Sequence, residues 1–315
     1  MPELTASDLA PLTREELVQR VLGEQESGTF YFRRYKELQG RCTELLEEAR
    51  AARAANVATV DKANGLRDVA AAPLTVPVVG LSGVAGAGKS TVARLLAETH
   101  GLEELSLAAP LKKLAEAVFG FSQRQLYGPS ECRNAADPRY EHACYWQEAE
   151  ERLFEVGHEW LDEVGIGGEH MPDLRCWFDD LVTLCFGKWG RAPMAKFSAR
   201  KVLQTLGTEM GRAIRPNVWI DHALRLASES ARGVVVPDAR FQNELDGVRA
   251  AGGVCIRISR PASGLDGAAA AHQSETEMGG IPDSVFDAVI LNDGTIEDLA
   301  ARTRAAVAPL LARWS

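Results

Sequence analysis

The 315-residue chain predicts an α/β fold: a three-layer sandwich around a five-stranded parallel sheet, with a helical extension ahead of it and a helical insertion within it. Three observations carry this. Several short apolar runs are continuous rather than alternating, as in strands covered on both faces. Helical stretches separate them. The first run also leads into Gly83-Val84-Ala85-Gly86-Ala87-Gly88-Lys89-Ser90-Thr91, and a helix follows.

Residues 76–81 read as that first strand, and the helix behind the glycines stops at Gly101. A strand, then G-x-x-x-x-G-K-S, then a helix is a P-loop. Its glycines let the backbone curl until the N–H groups of Gly83, Gly86, Ala87, Gly88 and Thr91 surround a phosphate. The helix starting at Lys89 adds the positive end of its dipole. Lys89 can reach β- and γ-phosphates, and the Ser90 hydroxyl is placed to ligate Mg²⁺. The chain is expected to bind a nucleoside triphosphate.

Residues 1–75 precede this domain as a helical extension and linker. Thr13-Arg14-Glu15-Glu16 has capping-box form and opens a helix over 13–23. A second helix over 33–55 carries Leu38, Cys42, Leu45, Leu46 and Ala49 on one stripe. That stripe suits packing on the body of the protein or on a second copy, which leaves a homodimer open. The P-loop domain spans 76–315. After the P-loop helix, 105–108 read as a strand and 110–119 as a helix with Pro at its first position. Ser122 caps a short helix to Tyr127. The insertion, about 129–197, is acidic and holds Trp146, Trp160, Trp177 and Trp189, with little β-branched content, so it reads as helical. Ser198 caps a helix to Arg212, and Pro216 begins another. Strands follow at 233–238, 253–258 and 288–291, with a helix at 241–251 and a closing helix at 296–311.

Composition narrows the class. The net charge of −9 argues against a broad nucleic-acid-binding face, although a local basic cleft would fit within it. Six cysteines include no C-x-x-C pair, and the spacing of Cys132, His142 and Cys144 fits no standard zinc pattern. Ordinary reduced thiols in a cytoplasm are the reading. No apolar run is long enough to span a bilayer, so no membrane partner is expected.

Phosphoryl transfer asks for positioning and for positive charge. Asp238 ends a buried strand, where parallel sheets bind ligands. Arg240 stands two residues on, and Arg212 ends the Ser198 helix; either can clamp a phosphate in a bidentate fashion. Gly207 and Gly211 interrupt that helix at a cost, which suggests that something approaches its backbone closely. Arg257 and Arg260 flank a strand end, and the small-residue stretch 261–271 suits a closing lid as well as a surface loop. His272 reads as a lid or structural residue rather than a general base.

Together these stretches resemble the deoxynucleoside monophosphate kinases of tailed bacteriophages. The likeness covers about 76–130 and 198–312 and includes Ala109-Pro110-Leu111-Lys112 and Gln125-Leu126-Tyr127-Gly128. It continues through Arg200-Lys201-Val202-Leu203-Gln204, Leu206-Gly207-Thr208-Glu209, Gly211-Arg212 and Pro216-Asn217-Val218-Trp219. Asp238-Ala239-Arg240-Phe241-Gln242-Asn243-Glu244, His272 with Ser274-Glu275, and Asn292-Asp293-Gly294-Thr295 complete it. The resemblance implies ATP phosphates at 83–91 with Mg²⁺ at Ser90. It implies Lys112, Gln204, Glu209, Arg212, Asn243, Glu244 and Arg260 around a small-molecule nucleotide acceptor. Lys89, Arg212, Asp238 and Arg240 would stand at the transfer centre, and Asn292 and Gly294 near the donor base. Ala109 replaces the family's acid before Pro110, the insertion is longer than usual, and 1–75 has no counterpart.

The expected function is therefore ATP-dependent phosphorylation of deoxynucleoside 5′-monophosphates to diphosphates for DNA synthesis. Two alternatives remain open on sequence. One is a kinase acting on a modified hydroxymethyl pyrimidine in phage DNA, with the insertion as the polymer surface. The other is a non-catalytic nucleotide-binding interaction protein that docks through its helices and tryptophans.

Overall fold

The computed structural model describes residues 73–187, 192–261 and 280–314. The chain separates into two units, Met1–Ala70 and Ala71–Ser315, and the described residues belong to the second. The helices expected at 13–23 and 33–55, Trp189, residues 262–271 of the lid stretch and His272 lie outside the described residues.

The sheet has five strands, all parallel, in the order β2–β3–β1–β4–β5. Central β1 (Val78–Ser82) is wholly buried; β2 (Glu103–Glu104) and β3 (Val234–Val236) lie to one side of it, β4 (Val254–Ser259) and β5 (Ala288–Leu291) to the other. The helices ahead of β3 are α1 (Lys89–His100), α2 (Ala109–Phe119), α3 (Gln123–Tyr127), α4 (Ser130–Asn134), α5 (Ala143–Glu163), α6 (Met171–Cys185), α7 (Ala199–Thr205) and α8 (Val218–Glu229). After it come α9 (Gln242–Ala250) and α10 (Ile296–Leu311). Among the described residues no helix is long and apolar enough to cross a membrane.

Side-chain alternation along the strands builds the three layers. Val79, Leu81, Val235, Ile256 and Ile258 face α1 and α10. Val78, Val234, Val236 and Cys255 face α9 and the helices of 129–197. Gly80 lets α9 close on β1, because a Cβ there would stand 3.1 Å from Val248. Local chemistry sets the helix ends: α1 and α2 stop at the left-handed glycines Gly101 and Gly120. Ser122 and Gln125 form a capping box on α3.

The stretch 129–197 is helical, as expected, and it completes the core rather than hanging from it. Phe119, at the end of α2, meets the rings of Phe197 at 5.2 Å, Tyr140 at 5.8 Å and Phe178 at 6.0 Å. Trp146, Trp160 and Trp177 are buried, with indole N–H groups donated to the Tyr140 carbonyl, the Pro110 carbonyl and Thr205 Oγ1. These tryptophans are internal anchors. These three offer no docking surface; Trp189 and the stripe over 38–49, the rest of the motive for a purely interacting protein, lie outside the described residues.

Two expectations are corrected. The second strand is Glu103–Glu104, not 105–108. Leu105 still donates to the Val235 carbonyl at 2.9 Å, but the chain then turns because the Asp238 carboxylate captures the next donors. The Ser198 helix is also not uniform: beyond α7 it widens into a π segment, Leu206–Arg212. What approaches its glycines is the protein itself. A Cβ on Gly211 would lie 2.1 Å from Trp219 Cζ2, and the Trp219 indole donates to the Gly207 carbonyl at 3.0 Å. Widening loosens backbone pairing, and the indole takes up a carbonyl.

Gly211→Ala should therefore destabilise the protein by about 1–3 kcal/mol, the usual cost of overpacking. Gly207→Ala, whose Cβ would meet only a Leu111 methyl at 3.2 Å, should cost less. Denaturant melts of the two variants measure this, and equal losses would contradict the packing described.

Candidate active site

The P-loop leaves the carboxyl end of β1. Gly83, Gly86 and Gly88 take φ values of 150°, 79° and 105°, which side-chain-bearing residues rarely adopt. A Cβ on Gly83 would stand 2.3 Å from the Ile258 carbonyl oxygen, so β4 presses on the loop. Asn292, beyond β5, donates to the Ala87 carbonyl at 2.8 Å, and Arg260 donates to the Gly86 carbonyl at 3.3 Å. Lys89 Nζ donates to the carbonyls of Gly83 and Val84 and is held within the curl. No side chain caps the first turn of α1 and no acidic residue lies in it, so its N–H groups suit an anion. Ser90 is exposed there, and Thr91 N bonds back to the Gly88 carbonyl.

Asn292, which the resemblance set near the donor base, braces the loop's backbone. Gly294 packs against Asp298, where Thr295 and Asp298 form the capping box of α10. Arg260, expected around the acceptor, stands at the P-loop.

The second part of the site lies over the ends of β2 and β3. Asp238 Oδ1 accepts from Leu107 N at 2.8 Å; Oδ2 accepts from Ser106 Oγ at 2.7 Å and Ala108 N at 3.1 Å. The carboxylate thus anchors the turn that starts α2. Lys112, one turn into α2, lies with its ammonium 4.0 Å from the Tyr127 ring centre. Burial lowers its pKa, Asp238 opposes that, and the charge of Arg133 lowers it further, with smaller effects from Glu104 and Arg240. Burial and the charge of Arg240 lower the pKa of Arg133 as well. Glu104, at the end of β2, is raised by burial and by Asp238, against the pull of Lys112.

Lys112, Arg133 and Arg240 are therefore cations within one another's field. Arg133 Nε is buried and has no hydrogen-bond partner among the described residues. Sequence reasoning missed Arg133: it stands five residues beyond Gly128, where the recognised motif ends, and nothing linear shows α4 folding back over Lys112.

Arg212 ends the π segment in a cradle. Its guanidinium carbon lies 3.6 Å from the Phe241 ring centre; Nη1 donates to Glu244 Oε1 at 3.2 Å and Nη2 to Asn243 Oδ1 at 3.1 Å. Asn243 in turn donates to the Pro216 carbonyl and Asn217 Oδ1. Glu244, expected among the acceptor contacts, is only 4% exposed and has both oxygens engaged by protein donors. Burial raises its carboxyl to about 7, against the pull of the Arg240 and Phe241 N–H groups and Arg212. Glu209 is exposed on the π segment, and Gln204 is half-buried on α7.

The family model for deoxynucleotide monophosphate kinase matches residues 190–303, which include Arg212, Asp238 and Arg240. A protein of Acanthamoeba polyphaga mimivirus, named as a deoxynucleotide monophosphate kinase, is 31% identical over 225 residues, covering 70% of this chain and 91% of that one. Among solved structures, an unliganded sugar kinase from Janibacter sp. is 14% identical with a TM-score of 0.31, covering 74% of this chain and 95% of that chain, too slight a likeness to carry an argument. On the viral relative, and on the motifs from the P-loop to Glu244, this chain belongs to the deoxynucleotide monophosphate kinase family.

Proposed function

We propose that the chain transfers the γ-phosphoryl group of ATP to a deoxynucleoside 5′-monophosphate, giving ADP and the deoxynucleoside diphosphate, a precursor for DNA synthesis. The observation that carries this reading is the group Lys112, Arg133 and Arg240. Three cations stand in one another's field, and the nearby carboxylate of Asp238 is already bonded by Ser106, Leu107 and Ala108, so the group suits a phosphate anion. The acceptor's 5′-phosphate is that anion. The P-loop and Lys89 hold the triphosphate, and Arg260 bridges the same loop.

An oxygen of the acceptor phosphate attacks the γ-phosphorus as the bond to the β-phosphate oxygen breaks. Arg212 and Arg240 bear on the charge spread over the transferring group. Asp238 serves from one step back, by fixing the turn that presents Lys112. Mg²⁺ fits the donor set, since the exposed Ser90 hydroxyl is a hard oxygen at the start of α1. When bound, the ion would neutralise charge on the β- and γ-phosphate oxygens.

Purified protein with ATP, Mg²⁺ and each of the four deoxynucleoside monophosphates should form diphosphate with at least one of them. Absence of turnover with all four would contradict the reading. Lys89→Ala should lower kcat by at least about 100-fold, as loss of a charge-stabilising donor does; unaltered turnover would remove the P-loop from the mechanism.

Arg133→Gln should raise the KM for the monophosphate by about 10- to 100-fold, the worth of a charged hydrogen bond, and leave the KM for ATP near its original value. Its melting temperature should hold or rise, because like-charge repulsion is removed. A lower melting temperature with an unchanged acceptor KM would make Arg133 a structural residue.

A further inference from the structure

Glu244 is the most deeply buried charged side chain near the site, and its two oxygens face two different arginines. Oε1 takes a side-chain N–H of Arg212 at 3.2 Å. Oε2 takes the backbone N–H groups of Arg240 at 2.7 Å and Phe241 at 3.1 Å. One carboxyl thus ties the end of the π segment to the connection between β3 and α9. Phe241 and Asn243 hold the same guanidinium from two further directions. An arginine has five N–H donors. Two of those on Arg212 are spent on Glu244 and Asn243, so the other three have no hydrogen-bond partner among the described residues.

We infer that Glu244 is a positioning residue for phosphoryl transfer, which sets the Arg212 side chain and the Arg240 backbone in place together. This deepens the kinase reading and rests on it. A side chain held on three sides loses little freedom when it meets the transferring group, so its charge acts without reorganising. The ionised carboxylate accepts from all three donors. The protonated form turns one oxygen into a donor facing other donors and loosens the cradle. The charged groups acting on Glu244 are Arg212, from the π segment, and Asp238, from the end of β3. Burial places the titration at about 7. The sign follows: kcat should rise as pH increases through that value, because deprotonation tightens the hold on Arg212.

Glu244→Gln tests this, because the amide keeps the size and still offers one oxygen to the backbone but turns its NH₂ toward Arg212. It should lower kcat by about 10- to 100-fold while the KM for ATP changes little, and it should lose the limb of the pH profile near 7. The acceptor's own phosphate titrates near 6; that limb should persist in the variant. Arg212→Ala with Glu244→Gln should be no slower than Arg212→Ala alone, since the two act as a unit.

Should Glu244→Gln not fold, Asn243→Ser loosens the same guanidinium without touching the buried carboxyl and should also lower kcat. Wild-type kcat and pH profile in the folded variants would overturn the inference. Nitrogen NMR of the Arg212 side chain needs no turnover: hindered guanidinium rotation should be lost in Glu244→Gln, and unchanged rotation would overturn the positioning role by itself. No turnover by the wild type sinks the kinase reading instead, so the two failures are separable.

Discussion

The grip of Asp238 on the turn after β2 is the contact on which the rest of the site depends. Without it, Leu105 would continue the ladder it has begun against Val235. With it, the donors of Ser106, Leu107 and Ala108 turn onto one carboxylate, and α2 starts at the sheet's edge. Two consequences follow. Lys112 is delivered to the mouth of the site, and Phe119 is delivered to the aromatic cluster that roots the helices of 129–197. A single charged group therefore connects strand pairing, the placement of a cation and the attachment of the helices of 129–197. Hydrogen bonds to an ionised acceptor are the stronger kind, which suits that burden.

The two halves of the site are built differently. The P-loop half is backbone, shaped by glycines at positive φ and braced by Asn292 and Arg260. The other half is side chain, a group of cations kept near one another by the surrounding packing. Arg212 belongs to neither: it is carried by a π segment in which Gly211 leaves room for Trp219. Stability is thus committed to tertiary contacts that happen to end in charged groups.

Much of this is legible in the residues alone. Continuous apolar runs mark β1, β3 and β4 because strands covered on both faces need no alternation; β5 is also a continuous apolar run, although Val289 and Leu291 are exposed at the sheet's edge. The P-loop is legible because its chemistry demands a contiguous spacing. Features made by distant residues are not. Asp238 reads as a free strand-end acid until Ser106–Ala108 are seen folded onto it. Glu244 reads as a pocket residue because nothing in its neighbours announces that Arg212 covers it. The helix at 198–212 hides its π widening, since the signal is a tryptophan seven residues beyond Arg212. Arg133 is silent for a similar reason: its partners in charge lie on α2 and after β3.

The central claim is that a P-loop and a separate group of cations hold two phosphates end to end. A conjugate joining adenosine to a deoxynucleoside through five phosphates spans both halves, and calorimetry of its binding measures the claim directly. Affinity at least about 100-fold above that of ATP alone is the predicted result, because the second half binds within the same molecule. Affinity equal to that of ATP would show that the cations around Lys112 receive no acceptor phosphate and would contradict the arrangement.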